Sequence, residues 1–243
     1  MNELKRLAEF NKVLASYHVS PATKATLQTV PFVVMLAPTS SGRNTIIREL
    51  VRTGKYHYIV SDTTRQPRIN DGVLEQNGVE YWFRAEDEVL HDLKDGKYLE
   101  AEVIHNQQVS GVSIRELEAA RHEHKVAVTD IDLQGVENIL KVKPDTIAVL
   151  VLPPSFEEWQ RRIKERGEMS GEEHKRRMET ACRIFDSALN HPDYQFVIND
   201  TVADAVQQIM SLTQTHKTDP TQLHRGRELA QRLYDQTKKL LSP

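Results

Sequence analysis

The sequence predicts an α/β fold in which a central parallel sheet is flanked by helices. Short apolar runs, typical of buried parallel strands, alternate along the chain with segments of helical period. The strand candidates are 31–36, 56–60, 79–83, 125–131, 146–152 and 195–198. The helix candidates are 2–17, 87–95, 156–166, 172–189, 202–212 and 221–241. A turn-rich loop at 37–42 joins the first strand to a helical stretch, and 21–30 reads as a linker with at most one helical turn.

The composition is typical of a soluble globular protein. Of the 243 residues, 39% are apolar and 28% are charged. A net charge of −3 does not indicate a nucleic-acid partner. No apolar run approaches the roughly 20 residues that span a bilayer, so no membrane association is expected. Cys182 is the only cysteine, which excludes an intramolecular disulfide, favours packing inside a helix and predicts a cytoplasmic location.

Both ends of the chain carry amphipathic helices outside the central pattern. The N-terminal apolar stripe comprises Leu4, Leu7, Phe10 and Leu14, and the C-terminal stripe comprises Leu229, Leu233 and Leu240. We expect each stripe to pack on the domain or on a partner, either a second copy of the chain or another protein. The predicted organisation is a helical extension and linker at 1–30, a main domain at 31–217 and a C-terminal helix at 218–243.

The loop after the first strand has the position of a phosphate-binding loop but an altered sequence. Such loops read G-x-x-x-x-G-K-[ST]: the backbone N–H groups cradle phosphates, the Lys neutralises them and the hydroxyl meets Mg²⁺. Only Gly42 matches strictly, because Ala37, Arg43 and Asn44 stand where the first Gly, the Lys and the hydroxyl residue are expected. Taken alone, this loop favours an ordinary strand-to-helix turn.

Further blocks of sequence resemble the guanylate kinase family, in the order that the family has them. The blocks are S-x-T-T-R-x-P-R at 61–68, N-G-x-D-Y-x-F at 77–83, G-x-F-[IL]-E at 96–100, D-I-D-x-Q-G at 130–135, P-P-S at 153–155, R-L-x-x-R-G ending at 167 and N-D at 199–200. The ordered set spans about 31–212 and excludes the terminal helices. The resemblance implies a P-loop kinase fold with a nucleotide-monophosphate-binding subdomain around 61–113 and a lid around 162–178.

The resemblance implies an acceptor site for GMP. Two arginines three residues apart, in a loop held by Pro67, suit bidentate bonding to phosphate oxygens. The implied GMP-binding residues are Ser61, Arg65, Arg68, Tyr81, Glu100 and Asp132. Of these, Ser61 and Glu100 would read the guanine edge, since a carboxylate accepts from the ring N–H and the exocyclic amine.

The resemblance also implies a donor site for ATP with Mg²⁺. The implied ATP-binding residues are Ser40, Ser41, Gly42, Arg43, Asn44, Thr45, Asn199 and Asp200. The implied metal ligands are Asn44 and Asp130. The implied catalytic residues are Arg43 and the lid arginines Arg162, Arg166 and Arg177, which bring positive charge to the transferring phosphoryl group. Arg162 and Arg166, four apart in a predicted helix, are expected to point the same way.

Departures from the family pattern keep the activity open. Ser110 and Val112 stand where the family's Y-G-[TS] supplies a tyrosine and a hydroxyl to the acceptor phosphate, and the segment 69–77 is longer than is common. The favoured prediction is a slow kinase that converts ATP and GMP to ADP and GDP. A catalytically inactive binding or regulatory module is the alternative, and a kinase for another acceptor is the third reading.

Overall fold

The structure is a computed structural model that describes residues 3–70, 72–167, 169–215 and 219–242. The described residues fall into two compact units. The first unit is drawn from Met1–Pro31, His57–Ala127 and Glu137–Asp145, and the second from Phe32–Tyr56, Val128–Val136 and Thr146–Pro243. The predicted helix start at residue 2 and the predicted boundary between 217 and 218 lie outside the described residues. The two units interleave along the chain, and the predicted domain limits stay a prediction.

Helices and strands alternate along most of the chain. The helices are α1 (Leu7–Ala15), α2 (Pro21–Gln28), α3 (Arg43–Arg52), α4 (Glu86–Lys94), α5 (Ile114–His122), α6 (Leu133–Val142), α7 (Phe156–Glu165), α8 (Gly171–Asn190), α9 (Val202–Thr215) and α10 (Pro220–Leu241). The strands are β1 (Phe32–Leu36), β2 (Tyr56–Tyr58), β3 (Asp62–Thr63), β4 (Ile69–Asn70), β5 (Val73–Leu74), β6 (Trp82–Phe83), β7 (Tyr98–Ile104), β8 (Gln108–Ser113), β9 (Val126–Asp130), β10 (Ile147–Leu152) and β11 (Gln195–Ile198).

A five-stranded sheet has the order β11-β10-β1-β9-β2, and its strands β11, β10 and β1 lie wholly in the second unit. β1 pairs in parallel with β10, and β10 pairs in parallel with β11. Every residue of β1 is buried, as expected of a strand that helices cover on both faces. The predicted α/β class with a central parallel sheet is confirmed. The parallel direction also brings the carboxyl ends of β1, β10 and β11 to one edge, where the phosphate loop begins.

The first unit contains a second sheet that the sequence patterns only partly predict. Its order is β6-β3-β8-β7, and β7 and β8 form an antiparallel hairpin. The predicted strand at 79–83 is wrong over its first half, because Gly78 takes a φ of 80° and its N–H bonds to Tyr81 O in a turn. The prolonged segment at 69–77 contains the small β4–β5 hairpin. This hairpin exposes apolar side chains, among them Ile69 and Val73.

In the N-terminal segment the first helix is shorter than predicted, and a second helix follows where a linker was predicted. α1 begins only at Leu7, and the predicted linker is the helix α2. Ser20 caps α2 by accepting the Thr23 N–H, and Pro21 occupies the first helical turn, where it suits the backbone. The expected packing of the N-terminal stripe is confirmed, since Leu4 and Phe10 are buried in the cluster that contains Tyr98.

The C-terminal helix α10 packs on α8 and β11 within the second unit. Gly226 allows close approach, because a Cβ at this position would lie 2.4 Å from the Cβ of Phe196. The expected stripe holds for Leu229 and Leu233, which are buried. It is wrong for Leu240, which is 49% exposed, because the buried face continues through Thr237 instead.

We expect Leu233→Ala to destabilise the fold far more than Leu240→Ala. Leu233 is fully buried, and truncating such a side chain costs about 2–5 kcal/mol. A surface truncation such as Leu240→Ala costs within about 0.5 kcal/mol. The free energies of unfolding, measured by urea denaturation, check this difference. Equal losses in the two variants would contradict the packing of α10 on the second unit.

Candidate functional site

The loop between β1 and α3 is held in shape by Asn199, at the end of β11. The Asn199 side-chain amide donates to Ser41 O at 2.7 Å, and its backbone N–H donates to Leu152 O at 2.8 Å. Gly42, the residue that caps α3, has a φ of 89°, and a Cβ there would lie 2.1 Å from Asn199 Nδ2. Gly42 therefore meets both a backbone and a space requirement that only glycine satisfies. Asn199, expected to border adenine, has its amide committed to the phosphate loop.

Two buried hydroxyls in this loop lack hydrogen-bond partners among the described residues. They are the Oγ atoms of Ser40 and Ser41. An unsatisfied buried hydroxyl costs about 1–3 kcal/mol. Ser40 also has a φ of 60°, a left-handed conformation that costs a non-glycine residue about 1–2 kcal/mol. Backbone strain and unpaired donors at the start of a helix indicate a binding site for an anion such as phosphate.

The two oxygens predicted to hold Mg²⁺ both accept hydrogen bonds from Arg43. Its Nη2 donates to Asp130 Oδ2 at 2.5 Å, and its Nε donates to Asn44 Oδ1 at 3.2 Å. Mg²⁺ requires six oxygen ligands at about 2.0–2.1 Å. The Arg43 guanidinium places a positive charge within hydrogen-bond distance of both oxygens, which disfavours a second cation between them. In this conformation Asn44 and Asp130 do not fit the metal.

Two of the three lid arginines contact the donor side. On α8, Arg177 Nη1 donates to Thr39 Oγ1 at 3.2 Å. On α7, Arg162 Nη1 donates to Asn199 O at 3.2 Å. Both lid helices are thus tied to the phosphate loop or to the residue that braces it. The same face of α7 carries the indole of Trp159, whose N–H donates to Thr39 O at 2.7 Å.

Each of these arginines is also oriented by a carboxylate one turn earlier in its helix. Glu173 accepts from Arg177 Nε at 2.7 Å, and Glu158 accepts from Arg162 Nε at 2.8 Å. Hydrogen bonds from Arg161 and then Arg162 lower the pKa of Glu158 to about 2. Arg166, the third lid arginine, is the exposed C-cap residue of α7 and keeps a right-handed helical backbone, so the expectation that it shares a face with Arg162 stays a prediction.

The remaining residues of the predicted donor set lie at element ends in the second unit. Thr45 is in the first turn of α3, and Asp200 is exposed directly after Asn199. Asp132, predicted to face the guanine, uses Oδ1 to accept the Gly135 N–H at 2.8 Å at the start of α6. The structure therefore gives Asp132 a helix-capping contact in the unit that carries the phosphate loop.

On the first unit, Arg65 is held by Glu75, a residue that the sequence patterns did not single out. Both Nη atoms of Arg65 donate to the Glu75 carboxylate, one at 2.9 Å. The guanidinium also lies 4.8 Å from the centre of the Tyr81 ring, in cation–π geometry. Hydrogen bonding to Glu75 raises the pKa of Arg65, and burial opposes this shift. The same carboxylate accepts the Arg68 N–H at 2.8 Å, so Glu75 organises both predicted phosphate-binding arginines.

The predicted guanine-reading residues also belong to the first unit. Ser61 is half-buried before β3, and its carbonyl accepts the Trp82 N–H at 2.9 Å. Glu100, on β7, lines a cavity of about 580 Å³ with residues of α1, α2 and the end of α6. Ser110, in place of the family's tyrosine, donates to Thr63 Oγ1 at 3.0 Å, and Val112 is buried. Neither side chain replaces the expected tyrosine contact to a phosphate.

The sequence did not identify Thr39, Trp159 or Glu75 as site residues. Thr39 accepts hydrogen bonds from Arg177 at its Oγ1 and from Trp159 at its carbonyl oxygen, so it links the loop to α8 and α7. The available signal was its position inside the loop, since Thr39 lies between two residues already compared with the motif. Glu75 gave a weaker signal, because it lies in the prolonged segment between two recognised blocks.

The parallel sheet, the loop at its carboxyl edge and the helix that follows define a protein of the P-loop kinase fold. A solved structure agrees in architecture: the crystal structure of guanylate kinase from Anaplasma phagocytophilum has a TM-score of 0.54 and 20% identity, and covers 88% of this chain and 96% of that one. At this identity the likeness shows the fold alone. Within the described segments, every helix is too short or too polar to cross a membrane.

Sequence comparison identifies the family. The family described as guanylate kinase matches residues 29–216. A guanylate kinase of Porphyromonas gingivalis is 32% identical over 180 residues, 73% of this chain and 93% of that relative. One of Listeria monocytogenes is 32% identical over 205 residues, 83% of this chain and 96% of the relative. Guanylate kinase 1 of Oryza sativa is 31% identical over 192 residues, 76% of this chain but only 49% of the relative's length. The chain belongs to the guanylate kinase family.

We expect Gly42→Ala to destabilise the protein, because it combines a contact of 2.1 Å with a strained φ. A residue held in such a conformation costs about 1–3 kcal/mol. Gly171→Ala is the matched control, since Gly171 begins α8 with open space around a new Cβ and no positive φ. Thermal melting of both variants checks the expectation. A melting temperature for Gly42→Ala equal to that of Gly171→Ala would contradict the close packing of the Asn199 amide against Gly42.

Proposed function

We propose that this chain transfers the γ-phosphoryl group of ATP to GMP, forming ADP and GDP. Family membership supports this reaction class, and the relatives named above are called guanylate kinases. The observation that carries the proposal is the loop itself, where the buried hydroxyls of Ser40 and Ser41, beside a helix N-terminus, have no hydrogen-bond partner in the part of the chain that the structure describes. A phosphate chain bound there would satisfy both hydroxyls and the first N–H groups of α3.

The second unit would bind and stabilise the transferring group. In-line phosphoryl transfer needs positioned cations and no covalent intermediate with the protein. Arg43, Arg162 and Arg177 supply three positive charges around the loop. Glu158 and Glu173 fix the last two in place, which limits the reorganisation that the transition state requires. Mg²⁺ carried by ATP would supply further neutralisation of the donor phosphates, while Asn44 and Asp130 are hydrogen-bonded to Arg43 in this conformation.

The first unit would bind the acceptor. Glu75 holds Arg65 with its guanidinium over Tyr81 and fixes the backbone at Arg68, so the acceptor-phosphate arginines are oriented before the nucleotide arrives. Glu100 and Ser61 would accept and donate hydrogen bonds at the guanine edge. The absence of a tyrosine at position 110 removes one phosphate contact and predicts weaker acceptor binding than in a family member with the full pattern.

A catalytically inactive binding module is the second candidate, and one observation favours it. Arg43 is engaged by Asp130 and Asn44, whereas a P-loop lysine reaches the phosphates directly. A module that only binds nucleotides needs no cations on the transferring group. Steady-state turnover separates the two candidates: ADP formation with ATP and GMP, measured in a coupled assay against AMP, CMP and UMP, is expected to be slow and specific for GMP. Nucleotide binding without turnover would favour the module.

We expect Arg177→Ala to lower kcat/KM by about a hundredfold or more, the loss typical of removing one transition-state hydrogen-bond donor. Arg176→Ala is the matched control. Arg176 is the neighbouring residue on α8 and also bonds to Glu173, but it points to solvent. Kinetics with ATP and GMP check the difference. A similar small loss in both variants would remove Arg177 from the proposed chemistry.

We expect Glu100→Gln to weaken GMP binding and to leave ATP binding unchanged. A lost hydrogen bond to a charged group costs about 1.5–3 kcal/mol, or about ten- to a hundredfold in Kd. Glu102→Gln on the same strand is the control, because Glu102 is exposed. Calorimetric titration with each nucleotide is the measurement. Parallel weakening of GMP and ATP would show that Glu100 acts on the fold and not on the guanine.

A further inference from the structure

The Arg43 guanidinium bonds to the side-chain oxygens of both residues that the family resemblance assigns to a divalent cation. Arg43 is the first residue of α3, and Asp130 ends β9, 87 residues later in the chain. The guanidinium reaches Asp130 Oδ2 at 2.5 Å and Asn44 Oδ1 at 3.2 Å from two N–H groups. The side chains of Arg43 and Asp130 are each only 24% exposed. The contact is therefore partly shielded from water, as is the Arg162–Glu158 pair on α7, whereas the pairs of Arg161 are more exposed.

We propose that Arg43 replaces a protein-held divalent cation, so that the donor loop binds nucleoside polyphosphates with an affinity that is nearly independent of Mg²⁺. The inference rests on the proposed function in one respect, namely that the loop binds the phosphate chain of a nucleotide. It goes beyond that function by assigning the charge neutralisation at Asp130 to an organic cation of the protein.

The chemistry of the guanidinium supports this assignment. Guanidinium carries five N–H donors in a fixed plane, and the bonds to Asp130 and Asn44 use two of them. The remaining donors are available to phosphate oxygens, for which the planar fork is well suited. Asp130 and Asn44 fix the orientation of the plane, as carboxylates that flank ligand-binding arginines do. A lysine ammonium has three donors and no plane, so it would not hold both oxygens in the same way.

The two substitutions in the loop also depend on each other. Serine in place of Asn44 would present a hydroxyl close to the backbone, out of reach of the Nε bond that Asn44 Oδ1 accepts. Beside a lysine, the asparagine side-chain oxygen would have no guanidinium N–H group from which to accept a hydrogen bond. Arg43 and Asn44 therefore form one bonded pair, and that pair takes up Asp130 as its third member. The opposite pairing, Lys with Ser, is the one that leaves the acidic oxygen to a metal.

The test is equilibrium binding of ATP to the full chain, measured by calorimetry in excess Mg²⁺ and again in excess EDTA. For the wild-type chain we expect the two Kd values to agree within about threefold. For the double variant Arg43→Lys with Asn44→Ser, we expect Mg²⁺ to tighten ATP binding at least tenfold, because the guanidinium no longer bonds to Asp130. Arg52→Ala, an exposed arginine at the other end of α3, is the control and should behave like the wild type.

Wild-type binding that is tenfold or more weaker in EDTA overturns the inference and leaves the proposed kinase function intact. Binding in EDTA together with an absence of turnover supports the inference and contradicts the kinase function. An absence of ATP binding in both buffers contradicts both. The decisive comparison uses the wild-type chain alone, so it does not depend on whether the double variant folds. A melting curve establishes whether the double variant is folded, and its Kd values are compared only if it is.

Discussion

The donor side of this molecule depends on the hydrogen bond from the Asn199 side chain to the carbonyl of Ser41. Asn199 is 3% exposed, and it joins three parts of the second unit: its amide holds the loop, its N–H continues the ladder to Leu152, and its carbonyl receives Arg162. Gly42 is required because the same amide fills the space beside it. This one side chain thus fixes the carbonyl of Ser41 and fills the space beside Gly42, in the same loop as the strained Ser40.

The first unit has a comparable centre in Asp62, which is 1% exposed. Tyr98 donates to it at 2.6 Å and Arg115 at 2.7 Å, while Arg84 completes the ion cluster at 3.2 Å. Burial raises the pKa of Asp62, and the hydrogen bond from Tyr98 and the two arginines oppose the shift. A buried carboxylate of this kind specifies one arrangement of its partners, since any other leaves a charge unpaired. The strand that carries the predicted phosphate-binding loop is thereby fixed against β7 and α5.

The sequence predicted the regular part of the fold well, because the central strands β1, β10 and β11 are continuous apolar runs and α7 to α10 have strong helical periods. It did not predict the β7–β8 hairpin, in which polar residues such as Glu100 and Ser110 interrupt the apolar pattern. Nor did it predict α2, which has almost no apolar face and depends on its Ser20 cap. Local pattern is informative where burial is continuous and uninformative where a cap or a pairing strand determines the structure.

The candidate site shows the same division between local and long-range information. Motif spacing located Arg43, Arg65 and Arg162, which lie in blocks of characteristic sequence, and Arg177, which lies in the lid region that the resemblance implies. Spacing could not state what each arginine bonds to, since the partners Asp130, Glu75, Asn199 and Thr39 become neighbours only through the fold. For Arg43 this difference changes the chemistry. In the sequence alone, Arg43 in place of the lysine indicates a damaged phosphate loop. In the structure, Arg43 is an ordered cation that bonds to Asn44 and Asp130 and keeps further N–H donors for a phosphate chain. The departure from the motif is then a coupled replacement of the lysine, the hydroxyl and the metal, and not the loss of one residue.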